Sequence, residues 1–398
     1  MTEICDGCRR CHRLCPSFDF MLERIDAHDG DIAKIAPGDY RRIVDLCYQC
    51  KLCFNHCPST PPHRFDIDFP RLMLRAKAAR ASVEGVTRQD RWLGNPDVVG
   101  AVGCATAPLS NWANNFKPAR AVLEAAVGIA KDRILPKFHH KTFARWFRER
   151  PPQPARPHRT AMFFTCFVNY NEPQVGRDAV SVLEHNGCSV ECPEQVCCGM
   201  PYLDAGDVAG ATRNAKKNLA ALAPLVAAGA DVIVPQPTCS YVIKKEYPDL
   251  VPGEESKRVA ARTFDLFEFL VGRHREGALD TTFPGKGPGK IAYHVPCHLR
   301  AQNMGFKTRD VLQLIPGTKI ALVERCTAMD GTWGMKKEYY PLSLTLARKA
   351  AQEMEASQPD TYMTDCSLAA LQVQEVRGAK PAHPASLLRE AYGLRAER

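Results

Sequence analysis

Two copies of the spacing C-x2-C-x2-C-x3-C-P constrain this 398-residue chain more than any other feature. A loop of this kind wraps three closely spaced thiolates around one iron–sulfur cubane and sends its fourth cysteine, just before the proline, to the neighbouring cluster. The sequence therefore predicts two [4Fe-4S] clusters. Their predicted ligands are Cys5, Cys8, Cys11 and Cys57 for the first cluster, and Cys47, Cys50, Cys53 and Cys15 for the second.

The chain contains 18 cysteines, and its amino-terminal sequence predicts that they stay reduced. Charged residues such as Arg9 and Arg13 stand where a signal peptide needs an apolar segment, and the longest apolar stretch, residues 219–230, is too short to span a membrane. We therefore expect a cytoplasmic protein whose cysteines bind metal instead of forming disulfides. Zinc favours paired C-x2-C units and fits the stepped spacing poorly.

The pattern along the chain predicts five segments. Residues 1–85 read as short helices around the cysteine loops, and residues 86–159 as a helical connector. Strands alternate with helices in residues 160–260 and again in residues 290–398, on either side of a linker at 261–289. This alternation predicts open α/β layers with a mostly parallel sheet, so we expect an α+β multidomain protein.

The two α/β halves look like an internal duplication. Three cysteines of the first half have counterparts 131, 129 and 127 residues later, each after a predicted strand. The pairs are Cys166 with Cys297, Cys197 with Cys326, and Cys239 with Cys366. With Cys198, which precedes a glycine that permits a sharp turn, the first half offers four thiolates from three strand ends. Four thiolates can hold a third iron–sulfur cluster.

With its twin cysteine loops followed by two cysteine-containing α/β repeats, the sequence resembles the CCG-domain (cysteine-rich domain) family of iron–sulfur oxidoreductases. Its relatives include iron–sulfur subunits of heterodisulfide reductase, glycolate oxidase and anaerobic glycerol-3-phosphate dehydrogenase. The resemblance covers nearly the whole chain and implies an α-helical ferredoxin module followed by two pseudo-repeated α/β CCG domains. It also implies iron–sulfur binding in the repeats and transfer of electrons from a dehydrogenase partner to quinone, or to a disulfide.

The second repeat departs from the family pattern. Thr327 follows Cys326 where the family has paired cysteines. In the heterodisulfide reductase subunit each full repeat also ends in C-x-x-C, and here those ends hold only the single cysteines Cys239 and Cys366. The first repeat keeps enough ligands for a cluster, namely Cys166, Cys197, Cys198 and Cys239. The second repeat offers a degenerate metal site with one open or non-cysteine corner, or a metal-free site that survives as structure. Its cysteines are Cys297, Cys326 and Cys366.

The net charge of +9 is concentrated in residues 131–150, which hold seven Lys/Arg, two acids and four aromatic residues. This segment could lie on an anionic membrane surface, dock a partner subunit, or clamp two domains together. No basic stripe with interleaved aromatic residues runs through the rest of the chain, so nucleic acid is not an expected partner. No dinucleotide fingerprint or P-loop is present, so we expect no FAD or NAD site.

The sequence therefore predicts an iron–sulfur electron-transfer subunit that relays electrons between a partner dehydrogenase, expected to carry flavin, and an acceptor such as quinone. We expect it in the cytoplasm or on the inner face of the cell membrane, with membrane or quinone contact through residues 131–150. Two alternatives stay open. One is a stand-alone reductase of a small disulfide or peroxide at the CCG site, and the other is a non-catalytic iron–sulfur sensor or scaffold.

Overall fold

The computed structural model describes residues 1–397. Its amino-terminal part is helical and contains both cysteine loops. Three of its helices begin at or next to a proline, whose fixed φ and missing N–H suit the first turn of a helix. Their apolar faces pack into a small core that includes Phe18, Ile43 and Phe69. The helices are α1 (Thr2–Cys8), α2 (Pro16–Asp26), α3 (Pro37–Leu46), α4 (Leu52–His56) and α5 (Phe69–Glu84), with a 3-10 turn at Ile32–Lys34.

A helical connector follows. Its helices are α6 (Arg88–Leu93), α7 (Pro96–Ala105), α8 (Ala107–Asn115), α9 (Lys117–Val127) and α10 (Phe143–Glu149). Helix α7 packs closely against the rest of the chain through two glycines. A Cβ atom on Gly100 would lie 2.2 Å from the ring of Tyr170, and one on Gly103 would lie 2.6 Å from the ring of Phe138. Larger residues at these positions would push α7 outward.

The first α/β half forms a four-stranded parallel sheet in the order β2-β1-β3-β4. All four residues of β3 are buried, as expected for a parallel sheet that is covered on both faces. The strands are β1 (His158–Met162), β2 (Cys188–Glu191), β3 (Asp231–Val234) and β4 (Thr263–Asp265). The helices are α11 (Cys166–Tyr170), α12 (Pro173–His185), α13 (Met200–Asp204), α14 (Val208–Ala227), α15 (Pro237–Tyr241), α16 (Tyr247–Leu250), α17 (Glu254–Ala261) and α18 (Leu266–Arg275), with a π-helical turn at Val242–Glu246.

The second half forms a three-stranded parallel sheet in the order β6-β5-β7. Its strands are β5 (Lys290–His294), β6 (Lys319–Val323) and β7 (Thr361–Met363). Its helices are α19 (Cys297–Arg300), α20 (Lys307–Leu312), α21 (Tyr340–Ala356), α22 (Ser367–Arg377) and α23 (Pro384–Ala391), with a 3-10 turn at Trp333–Met335.

The two sheets share one strand order. Strands β5, β6 and β7 take the places of β1, β2 and β3, and each of the six is followed by one or two of the cysteines paired above. This confirms the predicted mixed α/β fold with two repeats. A continuous core contains residues from both halves, for example Leu183 and Phe267 from the first and Leu312 and Leu388 from the second. The repeats are therefore packed together as one body.

The second cysteine loop is fastened to both repeats. Asn55 donates a hydrogen bond of 2.7 Å to the carbonyl oxygen of Arg300 in the second repeat. Lys51 forms a buried ion pair of 3.3 Å with Glu246 in the first repeat. The indole of Trp333 donates a 2.9 Å bond to the carbonyl oxygen of Asp45, just before the loop. These contacts fix the position of the amino-terminal module relative to the sheets.

Candidate metal centres

The first candidate centre, which we call site 1, is a small cavity near the amino terminus. Its lining combines apolar side chains such as Ile4 and Ile67 with four thiols, those of Cys5, Cys8, Cys11 and Cys57. Burial, reinforced by the nearby Cys57 thiol, raises the pKa of Cys5 to about 11. A thiol must lose its proton to bind a metal, and a cationic group in the cavity would favour that loss. The residues therefore fit a thiolate-bound cluster.

The second centre, site 2, is an adjacent cavity, and Phe18 lines both. Its thiols are those of Cys15, Cys47, Cys50 and Cys53. Burial raises the pKa of Cys15 to about 12, and the nearby Cys47 thiol adds to the shift. Cys15 and Cys57 are thus exchanged between the loops, and the structure brings together the two groups of four that the spacing predicts.

The two loops share an unusual backbone feature. Arg9 and Lys51 each follow the second cysteine of their loop, and they have positive φ angles of 48° and 66°. L-residues adopt this left-handed conformation at a cost, and it is tolerated where the surrounding structure requires a sharp change of direction. Here it turns each loop around its cavity.

The third centre, site 3, lies at the carboxyl ends of β1, β2 and β3. Its four thiols form a chain of hydrogen bonds that runs in the order Cys166, Cys197, Cys198 and Cys239. The bond to Cys197, together with burial, raises the pKa of Cys166 well above its ordinary value. Gly199 adopts a φ of 101° directly after the paired cysteines, which lets both thiols face the same cavity. Four neighbouring thiols along one cavity, three of them buried, fit an iron–sulfur cluster.

The cysteines of the second repeat do not stay together. The thiol of Cys366 lies near that of Cys239 and lines the same large cavity as site 3. The loops after β3 and β7 meet here, because Gln236 donates a 2.7 Å hydrogen bond to the hydroxyl of Ser367. Sequence reasoning assigned Cys366 to its own repeat. The missing information was how the two repeats face each other.

Cys297 and Cys326 form a separate pair beside site 2. Their thiols are hydrogen-bonded to each other, and the thiol of Cys50 lies nearby. The hydrogen bond from Cys297, together with bonds from the backbone N–H of Ala328 and the hydroxyl of Tyr48, lowers the pKa of Cys326 to about 7. The pair therefore lies between the amino-terminal module and the repeats. Tyr48 was not singled out in the sequence, where it looks like an ordinary aromatic residue.

His298 also joins the three parts of the chain. Its Nε2 donates a 3.0 Å hydrogen bond to the carbonyl oxygen of Gln49, so its Nδ1 accepts the 2.9 Å bond from the hydroxyl of Thr238. Burial lowers the pKa of His298 to about 4, which keeps the ring neutral. In the described structure this histidine is a hydrogen-bonding connector between the second cysteine loop and both repeats.

A cavity of about 320 Å³ opens beside site 3, and we call it the large cavity. Most of its lining is apolar and comes from the connector and both repeats, for example Trp92, Leu123 and Met335. Its polar lining includes two carboxyl groups, those of Asp204 and Asp330. The sequence makes Asp330 a candidate for the non-cysteine corner of the second-repeat site, whereas Asp204 has no sequence signal. A mostly apolar cavity with a few convergent polar groups is the usual place for a small-molecule ligand.

Helices α7, α8 and α9 expose an apolar surface, which we call the connector surface. Its large residues are Val98, Val102, Leu109, Trp112, Phe116 and Val122, with exposed fractions of 42–68%. Val98 and Val102 lie one turn apart on α7, and so do Leu109 and Trp112 on α8. Phe116, just before α9, and Val122 within it extend the apolar surface. Between residues 98 and 123 the chain contains Lys117 and Arg120 and no Asp or Glu.

The basic aromatic segment at 131–150 is fastened to the rest of the chain by its aromatic residues. Phe143 is 0% and Trp146 4% exposed, and both belong to the core of the repeats. Arg150 lies over the ring of Trp146 and pairs with Glu184 of α12 at 2.8 Å. The apolar face packs against α12, so Phe143 and Trp146 do not face a membrane, and membrane or quinone contact through the exposed residues of this segment stays a prediction. The buried residues act as a clamp within the chain, the third of the alternatives.

Two features are absent from residues 1–397. No helix among them is both long and apolar enough to cross a bilayer. No three His, Cys, Asp or Glu side chains in that range converge closely enough to hold a single metal ion. The thiols of sites 1 and 2 surround cavities instead of meeting at one point.

Two family models match the chain. Residues 1–83 match the Fer4-like domain of citrate utilization protein B. Residues 160–244 and 291–374 each match the cysteine-rich domain, CCG, so this domain occurs twice. The first match covers β1, β2 and β3 and ends before β4, and the second covers β5, β6 and β7.

Similar proteins were found in bacteria and an archaeon. One subunit of the anaerobic glycerol-3-phosphate dehydrogenase of Escherichia coli is 33% identical over 304 residues, 75% of this chain and 76% of that protein. Lactate utilization protein A from Geobacillus thermodenitrificans is 29% identical and covers 52% of this chain and 87% of its own length. One subunit of the CoM/CoB fumarate reductase of Methanothermobacter marburgensis is 29% identical over 54% of this chain and 41% of its own length.

Proposed function

Because the chain belongs to the cysteine-rich-domain (CCG) family, together with its relative from the anaerobic glycerol-3-phosphate dehydrogenase, we propose that it is an iron–sulfur electron-transfer subunit. It relays electrons between a partner dehydrogenase and an acceptor such as quinone. The observation that carries the proposal is the convergence of twelve cysteines into sites 1, 2 and 3, linked by the amino-terminal module and the first repeat.

In this proposal sites 1 and 2 each hold a [4Fe-4S] cluster and site 3 holds a third iron–sulfur cluster. Such clusters exchange single electrons at potentials that depend on burial and on hydrogen bonds to sulfur. The chain supplies those conditions. Cys8 is exposed at site 1, whereas the thiols of Cys197, Cys198 and Cys239 at site 3 are buried. Site 1 is therefore the proposed contact point for the partner, and site 3 the end of the relay inside the protein.

The partner is proposed to be a flavoprotein dehydrogenase. The chain has no dinucleotide fingerprint of its own, so hydride chemistry would take place in another subunit. Support also comes from the relatives, whose names describe subunits of a dehydrogenase and a reductase. The exposed loop around Cys8 and Arg9 is the surface where such a subunit would bring its flavin within reach of site 1.

The acceptor is proposed to be a membrane quinone, reached through the connector surface. Val98 and Val102 of α7 point outward, whereas Val99 and Gly100 of the same helix line the large cavity. One helix thus separates the apolar surface from the cavity beside site 3. Between residues 98 and 123 this surface carries Lys117, and the acids Asp97 and Glu124 flank the stretch, so attachment to a bilayer would rest mainly on the exposed apolar side chains. The protein would bind peripherally to the inner face of the cell membrane.

The proposed relay is tested by purifying the complex anaerobically with its natural partner. We expect a flavoprotein to co-purify and at least eight iron atoms per chain, the content of two [4Fe-4S] clusters, to be found with a similar amount of sulfide. About four iron atoms or fewer would contradict the two-cluster assignment. A lone chain that reduces small disulfides with turnover would support the alternative reductase instead.

The membrane contact is tested by sedimentation with anionic lipid vesicles. Replacing Val102 and Trp112 by serine removes two exposed apolar side chains, and we expect vesicle binding to fall about tenfold or more. Val83→Ser is the matched control, because Val83 is 86% exposed on α5 and lies outside the connector surface. Equal loss in both proteins, or no loss in either, would contradict a membrane role for this surface.

A further inference from the structure

The large cavity contains the groups that reduction of a quinone requires besides electrons. We propose that Asp204 is the catalytic residue that gives protons to a quinone as it is reduced in this cavity, with Asp330 as its partner. This inference rests on the proposed function. It adds a proton donor that neither the cysteine pattern nor any family match assigns.

The position of Asp204 supports this role. It is the last residue of α13, which begins at Met200, one glycine after the paired cysteines of site 3, and its side chain lines the cavity. Its Oδ1 is buried and has no hydrogen-bond partner within the described residues. A Cβ atom on Gly331 would lie 3.9 Å from Oδ2, so the carboxyl group faces the loop that carries Asp330. A buried carboxyl without a partner is costly unless a ligand or a proton satisfies it.

The charges around Asp204 leave it free to titrate. The nearby lysines are Lys51, Lys77 and Lys336, and each is bonded elsewhere. Lys51 pairs with Glu246 at 3.3 Å and Lys336 with Asp90 at 2.6 Å, while Lys77 donates a 2.9 Å bond to the carbonyl oxygen of Cys47. Asp204 is therefore influenced by positive charge but not locked in an ion pair.

Burial sets the proton affinity of the two acids. It raises the pKa of Asp204 to about 6, against the lowering effect of the three lysines, and the nearby Asp90 adds to the rise. Burial also raises the pKa of Asp330 well above its ordinary value, and the Asp204 carboxylate contributes to that shift, as does Cys326. Both shifts favour the neutral acid, which is the form that can donate a proton to a ligand.

The remaining lining residues do not offer this chemistry. Gln236, Thr238 and Asn171 can orient a carbonyl by hydrogen bonding, but they do not release a proton near neutral pH. Five cysteines line the cavity. Four of them are the proposed ligands of site 3, and burial raises the pKa of the fifth, Cys366, to about 11, so its thiol does not release a proton near neutral pH. Among the described lining residues, the carboxyl groups are those of Asp204 and Asp330. They are placed beside both the ligand space and the electron source.

Reduction of a quinone to a quinol consumes two electrons and two protons. The electrons arrive one at a time through the relay, and the partner dehydrogenase is the reductant that supplies them. Each quinone oxygen gains one proton, so two O–H bonds form on the ring and an O–H bond of a carboxyl group breaks for each. Asp204 gives one proton and Asp330 or a reprotonated Asp204 gives the other. The carboxylates left behind then take up two protons from the solvent, so the reaction consumes two protons of the medium. A quinol then leaves the cavity.

The test uses the holoprotein with its partner and a short-chain benzoquinone as the probe. For Asp204→Asn we expect quinone reduction at neutral pH to fall about a hundredfold, the typical contribution of a general acid. Equilibrium binding of the quinone should stay within about twofold, since Asn keeps the size of the side chain. Reduction of ferricyanide, which needs no proton, should be unchanged. Asp29→Asn, an exposed carboxyl of the amino-terminal module, is the control and should match wild type.

The pH profile gives a readout that a structural role would not move. The neutral acid is the active form, so the wild-type rate should fall as pH rises through the range around 6 and above. Asp204→Asn should lose this dependence, and Asp204→Glu should restore part of it. Infrared difference spectra should show a carboxyl band that disappears in Asp204→Asn.

The outcomes separate this inference from the proposed function. If wild type neither binds nor reduces the quinone, the acceptor in the proposed function is wrong. If wild type binds and reduces the quinone and Asp204→Asn does so equally well, Asp204 is not the proton donor, and the proposed function is unaffected. Equal loss of quinone and ferricyanide reduction in Asp204→Asn would indicate damage to the relay and overturn the inference. Leu123→Phe, which narrows the cavity, should weaken quinone binding, while Val83→Phe should not.

Discussion

The two CCG repeats have the same strand order but differ in what they do with their cysteines. The first keeps the paired Cys197 and Cys198, and its four thiols form one hydrogen-bonded group. The second has Thr327 in the paired position, and its cysteines divide between two places. One duplicated fold thus provides a complete centre and a pair of thiols beside another centre. The repeat that lacks the second paired cysteine therefore does not contain an incomplete version of site 3. Its cysteines lie in two places, beside site 3 and beside site 2.

The largest effect that tests this comparison is on iron content. Cys198→Ser should lower the iron of the isolated chain from about twelve to about eight atoms, because it removes a proposed ligand of the third cluster. Cys326→Ser is the matched variant in the second repeat and should leave about twelve. Iron and sulfide analysis of both proteins decides the matter. A loss of about four atoms in Cys326→Ser as well would mean that the second repeat holds its own cluster.

A smaller effect concerns Cys366, which lies near Cys239. We expect Cys366→Ser to shift the electron paramagnetic resonance signal or the reduction potential of the third cluster, since it changes a sulfur group beside that cluster. Cys297→Ser, in the same repeat, should leave the signal in place because Cys297 lies beside Cys50. The reverse result would reunite the three second-repeat cysteines in one site.

The smallest effect concerns the backbone after the cysteines. Gly199 and Ala328 are equivalent in the two repeats, and both have positive φ, 101° and 53°. Gly199→Ala should destabilise the protein by about 1–2 kcal/mol, because an L-residue resists this conformation. A Cβ there would also lie 3.3 Å from the Cα of Ala211.

Ala328→Gly should act in the opposite direction, stabilising by at most about 1 kcal/mol, since glycine relieves the strain but frees the unfolded chain. Thermal unfolding of the two variants measures both changes. If Ala328→Gly also destabilises the protein, the positive φ of Ala328 does not strain the backbone in the way predicted from Gly199.

The sequence was most informative where the residues of a site lie close together along the chain. Each twin loop wraps its own cavity, so the spacing alone predicts the groups of cysteines, including the exchange of Cys15 and Cys57. The duplication was readable for a similar reason, because each cysteine follows a strand of its own repeat and the offsets between the repeats are nearly constant. Local pattern and fold agree in both cases.

The sequence was less informative where distant parts meet. Cys366 joins the neighbourhood of Cys239 only because the loops after β3 and β7 face each other, and no spacing records that contact. The same limit explains residues 131–150. The sequence pattern of an apolar face with Phe143 and Trp146 is the same whether that face contacts a bilayer or α12. In this structure both side chains are buried in the core. The connector surface, in contrast, has little charge and did not stand out in the composition.

Helix α7 connects the outside of the protein to site 3. It presents Val98 and Val102 to the surroundings, and at its start Asp97 accepts a 2.7 Å hydrogen bond from the backbone N–H of Cys197. Any shift of this helix when the connector surface is covered would move a carboxylate beside a proposed cluster ligand. The midpoint potential of the proposed third cluster would then differ between protein that is free in solution and protein whose connector surface is covered. A potential measured on the free protein would describe that state alone.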